Sequence, residues 1–157
     1  MTIRAGAKIE AADFSLPTIA TGFGNGTNTV TGTTFTNLPT NACTAAITNP
    51  HPTANMICLV TWGAWMSASA NAIRCCPAVS GSIAIAAGIG VGGPIGWGEV
   101  PMSGSSSYMH HAGSATYALP ASATAATFTM QAMRDSASGT QQVDYATIRI
   151  IPLRFDV

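Results

Sequence analysis

Charged side chains are scarce in this sequence. Its 157 residues include six Lys and Arg and six Asp and Glu, which is 8% of the chain and gives a formal net charge of zero at neutral pH. Ordinary soluble domains have roughly 25% charged residues. Without a basic excess the chain lacks the charge that neutralises phosphates, so we expect no nucleic-acid partner. A disordered chain is excluded as well, because 47% of the residues are hydrophobic.

The shortage of charge also predicts how the surface is used. When a protein has little charge and no net charge, little opposes contact between apolar patches on neighbouring molecules. We therefore expect much of the surface to be buried against copies of this chain or against other proteins.

Long hydrophobic runs are missing too. The longest apolar stretches, Met56–Met66 and Ile83–Gly98, are shorter than the roughly 18 residues of a membrane-spanning helix. The first eight residues contain no apolar run, so we expect no secretory signal, no membrane anchor and synthesis in a cytosol.

Catalytic and cofactor motifs are equally scarce. The glycine spacing of residues 88–93 resembles a dinucleotide-binding loop, but Pro94 and two more glycines follow, where that motif requires a helix. His110 and His111 are neighbours, so on a strand they point to opposite faces and cannot chelate one ion together. The six acidic residues form no paired-carboxylate motif. We therefore expect no enzyme activity, no cofactor and no metal, although a histidine cluster at a three-fold axis stays an alternative.

Four cysteines are present: Cys43, Cys58, Cys75 and Cys76. An even number permits two disulfides in a secreted chain, but nothing else in the sequence indicates secretion. We predict free, mostly buried thiols, with disulfides and a zinc site as the alternatives.

What the sequence does contain is alternation of period two. In Met56–Met66 the residues Met56, Cys58 and Val60 fall on one face, and Ile57 and Leu59 on the other, and both faces are mostly apolar. Such a strand belongs inside a sandwich or against a neighbouring subunit. Further strands are predicted at 33–38, 43–48, 72–79, 82–87, 106–112, 115–119, 124–134 and 143–155, separated by turn formers at 49–52, 80–81, 119–122 and 135–139. A bulge or a sheet edge is expected near Ile150–Pro152.

Eight or more strands in about 140 residues fit an all-β, jelly-roll-like antiparallel β-sandwich. Residues 1–17 hold four of the twelve charges, and we interpret them as an N-terminal attachment arm outside the sandwich domain of residues 18–157. Residues 22–32 are rich in glycine and are expected to form a flexible link or a loosely held first strand.

Candidate contact residues follow from this arrangement. Trp62 and Trp65 are core plugs or interface anchors, and Trp97 in the glycine-rich loop is the candidate for contact with a glycan or receptor. In the last strand, Arg149 and Arg154 alternate with apolar residues and would need partners if buried, such as Asp144 or Asp156 of the same or a neighbouring chain. In the arm, the candidates for assembly contacts are Arg4, Lys8 and Phe14.

Both ends of the chain resemble a known family. The opening stretch Ile3–Phe14 resembles the "R-A-G-x-K-I-x-A-x-D" start of small virion proteins from tailed phages that infect actinobacteria. The closing stretches Thr127–Arg134 and Tyr145–Phe155 are similar to the last hairpin of their β-sandwich domains, where "L-R-V-I-P-L-R" recurs. The resemblance extends in style to Trp62–Trp65 but not to the glycine-rich centre.

The resemblance implies a structural protein of the phage particle, with no catalytic residues. We expect a homotrimeric minor tail or tail-tip protein that contacts other virion proteins through its arm. The alternatives are a capsid decoration protein at three-fold positions and a lectin-like receptor-binding module that contacts a host-surface glycan.

Overall fold

The computed structural model describes residues 15–69, 71–81, 98–100, 105–122 and 124–156, with the backbone alone for 98–100, 105 and 106. These residues form ten strands and no helix. The strands are β1 (Ala20–Gly24), β2 (Asn28–Val30), β3 (Thr36–Asn37), β4 (Thr44–Thr48), β5 (Asn55–Ala68), β6 (Ile73–Gly81), β7 (Gly98–Val100), β8 (Ser105–Leu119), β9 (Ala125–Arg134) and β10 (Gln141–Asp156).

The strands form two antiparallel sheets packed face to face, as the sequence predicts. In sheet A, β10 pairs with β5 and β5 with β8, while β1 and β2 lie one after the other along the free side of β10. In sheet B, β9 pairs with β6 and β6 with β7, while β3 and β4 lie along the other side of β9. If β1–β2 and β3–β4 each count as one interrupted strand, the sheet orders are 1-8-3-6 and 2-7-4-5. This is the strand order of a jelly roll.

The core lies between the sheets and is filled by alternate residues of the long strands. On β5, Met56, Cys58 and Val60 are fully buried, which confirms the predicted inward face of this strand. On β9, Phe128 and Met130 point inward, again as expected. Removing so many apolar side chains from water is the main source of stability in a chain with few ion pairs.

Two buried asparagines hold the loops at the ends of the sheets. The Asn49 side chain donates hydrogen bonds to the carbonyl oxygens of Ala54, Leu119 and Pro120 at 2.8–3.0 Å and accepts one from the His51 amide at 3.0 Å. It thus joins the β4–β5 loop to the β8–β9 turn. Asn28 has a similar role, since its side-chain oxygen accepts the amides of residues 40 and 41.

Three strand predictions are corrected by the structure. Of the predicted strand 33–38, only Thr36–Asn37 pairs with a neighbour. The predicted turn at Ser80–Gly81 belongs to β6, which continues to Gly81 opposite Ala126. The predicted strands 106–112 and 115–119 are one continuous strand, β8, because Gly113 pairs with Trp62 of β5 without interrupting the register.

Other predictions are confirmed or lie outside the described residues. The expected bulge in β10 is found between Pro152 and Arg154, and a second one, which the sequence analysis missed, lies between Asp144 and Thr147. The glycine-rich segment 22–32 contributes β1 and β2. The predicted strand 82–87 and residues 1–14 of the predicted arm fall outside the described residues.

Candidate functional site

The outer face and borders of sheet A carry the exposed large hydrophobic side chains. In the part of the chain that the structure describes, these residues lie on strands of sheet A or directly before β1: Ile19, Phe23, Trp65, Tyr108, Met109, Tyr145 and Leu153. The described outer face of sheet B has small and polar residues instead, such as Thr44, Ala46 and Thr129. Among the described residues, the large exposed apolar side chains are therefore concentrated on sheet A, and large exposed apolar patches are uncommon on isolated soluble proteins.

Five of these seven residues form two patches near opposite borders of sheet A. The β1-side patch consists of Ile19, Phe23 and Tyr145, directly before the outermost strand, on it and in the bulge next to it. The β8-side patch consists of Trp65 and Tyr108, on the outer faces of β5 and β8.

Met109 does not belong to the β8-side patch. It pairs with the buried Met66 and therefore points to the opposite face of β8. Among the described residues, Phe23 is the most exposed aromatic side chain, at 58%.

Between the two patches lies a shallow depression of about 450 Å³. Gly63 is its centre and offers no side chain, and the neighbours across the sheet are Thr147 on β10 and Ala112 on β8. Arg149 and His110 complete the rim. A glycine inside a strand allows another group to approach the backbone closely, and here it leaves room for a ligand.

The His110 ring leans over this glycine. A Cβ on Gly63 would lie 3.0 Å from His110 Nε2. The other side of the ring meets Trp65 edge-on, with ring centroids 5.4 Å apart. Trp65 therefore holds the His110 ring, which forms one wall of the depression, in place. The Trp65 indole itself is 44% exposed.

Arg149 differs from the other charged residues whose side chains are described. Arg74 pairs with Asp135 at 2.9 Å, and Arg154 with Asp156 at 3.5 Å. Asp144 accepts the Tyr145 amide, and Arg134 donates to the Gly139 carbonyl oxygen. Arg149 is exposed and makes no hydrogen bond or ion pair with any described residue.

The structure shows which of the candidate residues predicted from the sequence are exposed and which are buried. Trp65, Arg149 and Arg154 all lie on sheet A with exposed side chains, and the predicted Arg154–Asp156 pair is present. Trp62 is only 5% exposed and belongs to the core, so of its two predicted roles it has that of a core plug and not of an interface anchor. Arg4, Lys8, Phe14 and Trp97 lie outside the described residues.

The sequence analysis missed two glycines within strands that indicate the depression and the packing behind it. Gly63 and Gly113 both sit within strand patterns, and an isolated strand glycine indicates close backbone approach. Gly113 accommodates the Trp62 indole, since a Cβ there would lie 2.4 Å from Trp62 Cζ2. Gly63 creates the depression on the opposite face.

The titratable groups show no catalytic arrangement within the described residues. No group of three His, Cys, Asp or Glu side chains there is placed to hold a metal ion. His51 has a local role, because its Nδ1 accepts the amides of Thr53 and Ala54 at 3.2 and 2.9 Å. His110 and His111 alternate across β8, as predicted.

All four cysteines are free and buried, as predicted. Burial in the core raises the pKa of the Cys43 and Cys58 thiols to about 11. Burial also raises the pKa of Cys75 well above its ordinary value, and nearby Cys76 and Cys43 raise it further. These thiols are therefore protonated and unreactive at neutral pH.

Comparison with protein-family models and with curated proteins finds no match to this sequence. In the described ranges, no helix has the length and apolar character to cross a membrane.

Proposed function

We propose that this protein is a non-enzymatic structural component of a bacteriophage particle that assembles as a homotrimer in the tail or tail tip. The N-terminal segment anchors it to neighbouring virion proteins in this proposal. Two features support it: the resemblance of both chain ends to small virion proteins, and the jelly-roll strand order, which is common in viral coat domains.

The observation that carries the assembly proposal is the position of the two apolar patches. They lie on opposite borders of one sheet, so a copy presents two different surfaces to its neighbours. Contact between the β1-side patch of one copy and the β8-side patch of the next is heterologous, and such contacts close into rings when the rotation between copies permits. An isologous dimer would use a single patch on both copies.

The small, uncharged side chains on the second half of β8 favour burial in such an assembly. Taking a charge out of water is costly unless it finds a partner, whereas small hydroxyl and apolar groups are buried at much lower cost. Exposed residues of the outer β8 face beyond the depression, such as Thr116 and Ala118, are of this kind. The protein can therefore bury wide contacts without a large desolvation penalty.

The oligomer is tested by native mass measurement of the purified chain. We expect a species of three times the 15.9 kDa chain mass in dilute buffer. Phe23→Ser, which removes the most exposed aromatic side chain of the β1-side patch, shifts the population to the single-chain mass. Thr48→Ser, an exposed position on sheet B, serves as the control and leaves the trimer intact. A single-chain mass for the unchanged protein would refute the assembly.

The place in the particle is tested by electron microscopy of intact virions with an antibody to this chain. Label at the tail supports the proposal. Label at three-fold positions of the capsid would favour the alternative of a decoration protein, and no label on the particle would refute a virion role. The lectin-like alternative depends on Trp97, which lies outside the described residues.

A further inference from the structure

We propose that the depression at Gly63 is a binding site for a carboxylate-bearing sugar residue, with Arg149 as the group that binds the carboxylate. This goes beyond the structural role proposed above and does not depend on it. Polar groups from three strands meet at the depression, and most of them have no hydrogen-bond or ion-pair partner among the described residues.

Arg149 supplies the charge. Arg149 lines the depression and has no acidic partner among the described residues, whereas the two arginines in ion pairs elsewhere, Arg74 and Arg154, have their own carboxylates. A guanidinium presents a planar fork of donors that matches the two oxygens of a carboxylate. A ligand with one carboxylate therefore fits this rim.

Neutral hydrogen-bonding groups surround the arginine. Thr61 on β5 pairs with Arg149 on β10, and Ser114 on β8 pairs with Thr61. The hydroxyls of Thr61 and Ser114 make no hydrogen bond with the described residues. The His110 ring nitrogens are also without a described hydrogen bond, and Thr147 Oγ1 donates only a long one, 3.4 Å, to the Gly63 carbonyl oxygen. A ligand that combines one carboxylate with several hydroxyls uses all of these groups at once, and a uronic acid has this composition.

The volume and position of the depression agree with such a ligand. About 450 Å³ is within the usual range of small-molecule pockets, roughly 300–1,000 Å³. The site lies between the β1-side and β8-side patches, so contact between copies at the sheet borders leaves it open. Its shallowness fits recognition of one residue of a longer polysaccharide.

The test is titration of the intact protein with D-glucuronate, followed by ¹H–¹⁵N chemical-shift changes. We expect saturable shifts for residues around the depression. D-glucose, which lacks the carboxylate, binds at least about tenfold more weakly, because a hydrogen bond to a charged group contributes roughly 1.5–3 kcal/mol. Acetate also binds at least about tenfold more weakly, because it lacks the hydroxyls that reach the neutral groups, each hydrogen bond contributing roughly 0.5–1.5 kcal/mol. Arg149→Gln weakens glucuronate binding by a similar factor. Arg154→Gln, on the same strand but in a local ion pair, is the matched control and binds as the unchanged protein does.

A second variant tests whether binding requires the open volume of the depression. Ala112→Phe places a ring in the depression from an exposed position, so we expect it to fold normally and to lose binding. Equal affinity for acetate and glucuronate would show an anion site only and overturn the sugar assignment. Absence of saturable binding, or binding that survives Arg149→Gln, would overturn the site. Because native mass reports the oligomer separately, either failure is distinguishable from failure of the proposed assembly.

Discussion

Burial alters the chemistry of single residues in this protein, most clearly the cysteine thiols. Cys43 and Cys58 have no accessible surface and lie among apolar neighbours. An apolar environment disfavours the thiolate, which is why their pKa values rise from 9.0 to about 11. The prediction of buried free thiols came from the missing secretion signals, and the structure adds the reason for their inertness.

These pKa shifts make stability depend on alkaline pH. Between pH 9 and 11 the thiols of the unfolded chain lose protons while those of the folded chain keep them, so the unfolded state binds fewer protons and rising pH favours unfolding. The contribution is fully present below pH 9 and is lost as the pH rises through 11. We expect the free energy of unfolding, from urea titrations at pH 7, 9 and 10.5, to fall over the last interval.

The matched control for the pH dependence is the double variant Cys43→Ala and Cys58→Ala. It is less stable at pH 7, because two buried sulfur atoms are lost, but its stability falls less steeply above pH 9. An equally steep fall in this variant would show that other groups carry the dependence.

The long-range hydrogen bonds of the two buried asparagines could not be predicted from the sequence. In the sequence Asn49 stands before Pro50 and signals only a turn, as predicted. Its three donated hydrogen bonds join loops that are 70 residues apart in the chain, and no local pattern contains that information. The same holds for Asn28, whose partners come from the β3–β4 loop and from β10.

At the scale of elements, alternation predicted the long strands well and their ends less well. The buried faces of β5 and β9 follow directly from period two, because one face of each strand meets the core. The sequence analysis predicts two strands where β8 is continuous, and Gly113 lies in the gap between them. Its role depends on Trp62 of the paired strand, a contact that only the register reveals.

Gly113→Ala tests this pairing of glycine and indole. The added Cβ would lie 2.4 Å from Trp62 Cζ2 and 2.6 Å from Cε2, so the ring must move within a packed core. We expect a loss of about 1–3 kcal/mol in the free energy of unfolding, the usual cost of overpacking, measured by urea denaturation.

Gly63→Ala is the control for this substitution. It makes the same change in the paired strand, so the effect on the unfolded chain is similar, but its Cβ would lie 3.0 Å from His110 Nε2 and 3.4 Å from the His111 carbonyl oxygen, which are longer distances than those to the indole at Gly113. The cost is therefore smaller. In addition, we expect Trp62→Phe to lower the free energy of unfolding less in the Gly113→Ala background than in the unchanged protein. The smaller ring relieves the contact with the added Cβ, so the two substitutions are not additive. Equal costs for the two glycine substitutions would contradict the role assigned to the indole.

For the whole molecule, composition and strand spacing were enough to predict the sandwich class but not the site. The number of strands and the turn signals favour a jelly roll, since few arrangements bury so many alternating strands. The depression depends on three strands that bring Arg149, Gly63 and His110 together from distant parts of the sequence. Arg149 was identified from its apolar neighbours in the chain, whereas its lack of a partner is a property of the folded sheet.

The two-patch assembly makes a prediction that separates it from a symmetric dimer. Phe23→Ser disables the β1-side patch, and Tyr108→Ser disables the β8-side patch. Each variant alone breaks every contact in a ring of identical copies, so we expect each to have the single-chain mass. When the two variants are mixed, the intact β8-side patch of the first meets the intact β1-side patch of the second, and this contact is unchanged.

The mixture should therefore contain a dimer of one copy of each variant, visible by native mass spectrometry when one partner is labelled with ¹⁵N. It should contain no trimer, because a third copy would require a disabled contact. If both copies used the same patch, no combination of these two variants would restore an unaltered interface, and mixing would give no new species. A mixture of Phe23→Ser with Tyr145→Ser, both in the β1-side patch, is the control and stays at the single-chain mass. Restored pairing in the first mixture but not in the second, together with a trimeric mass for the unchanged protein, is the result expected of a head-to-tail contact between the two borders of sheet A.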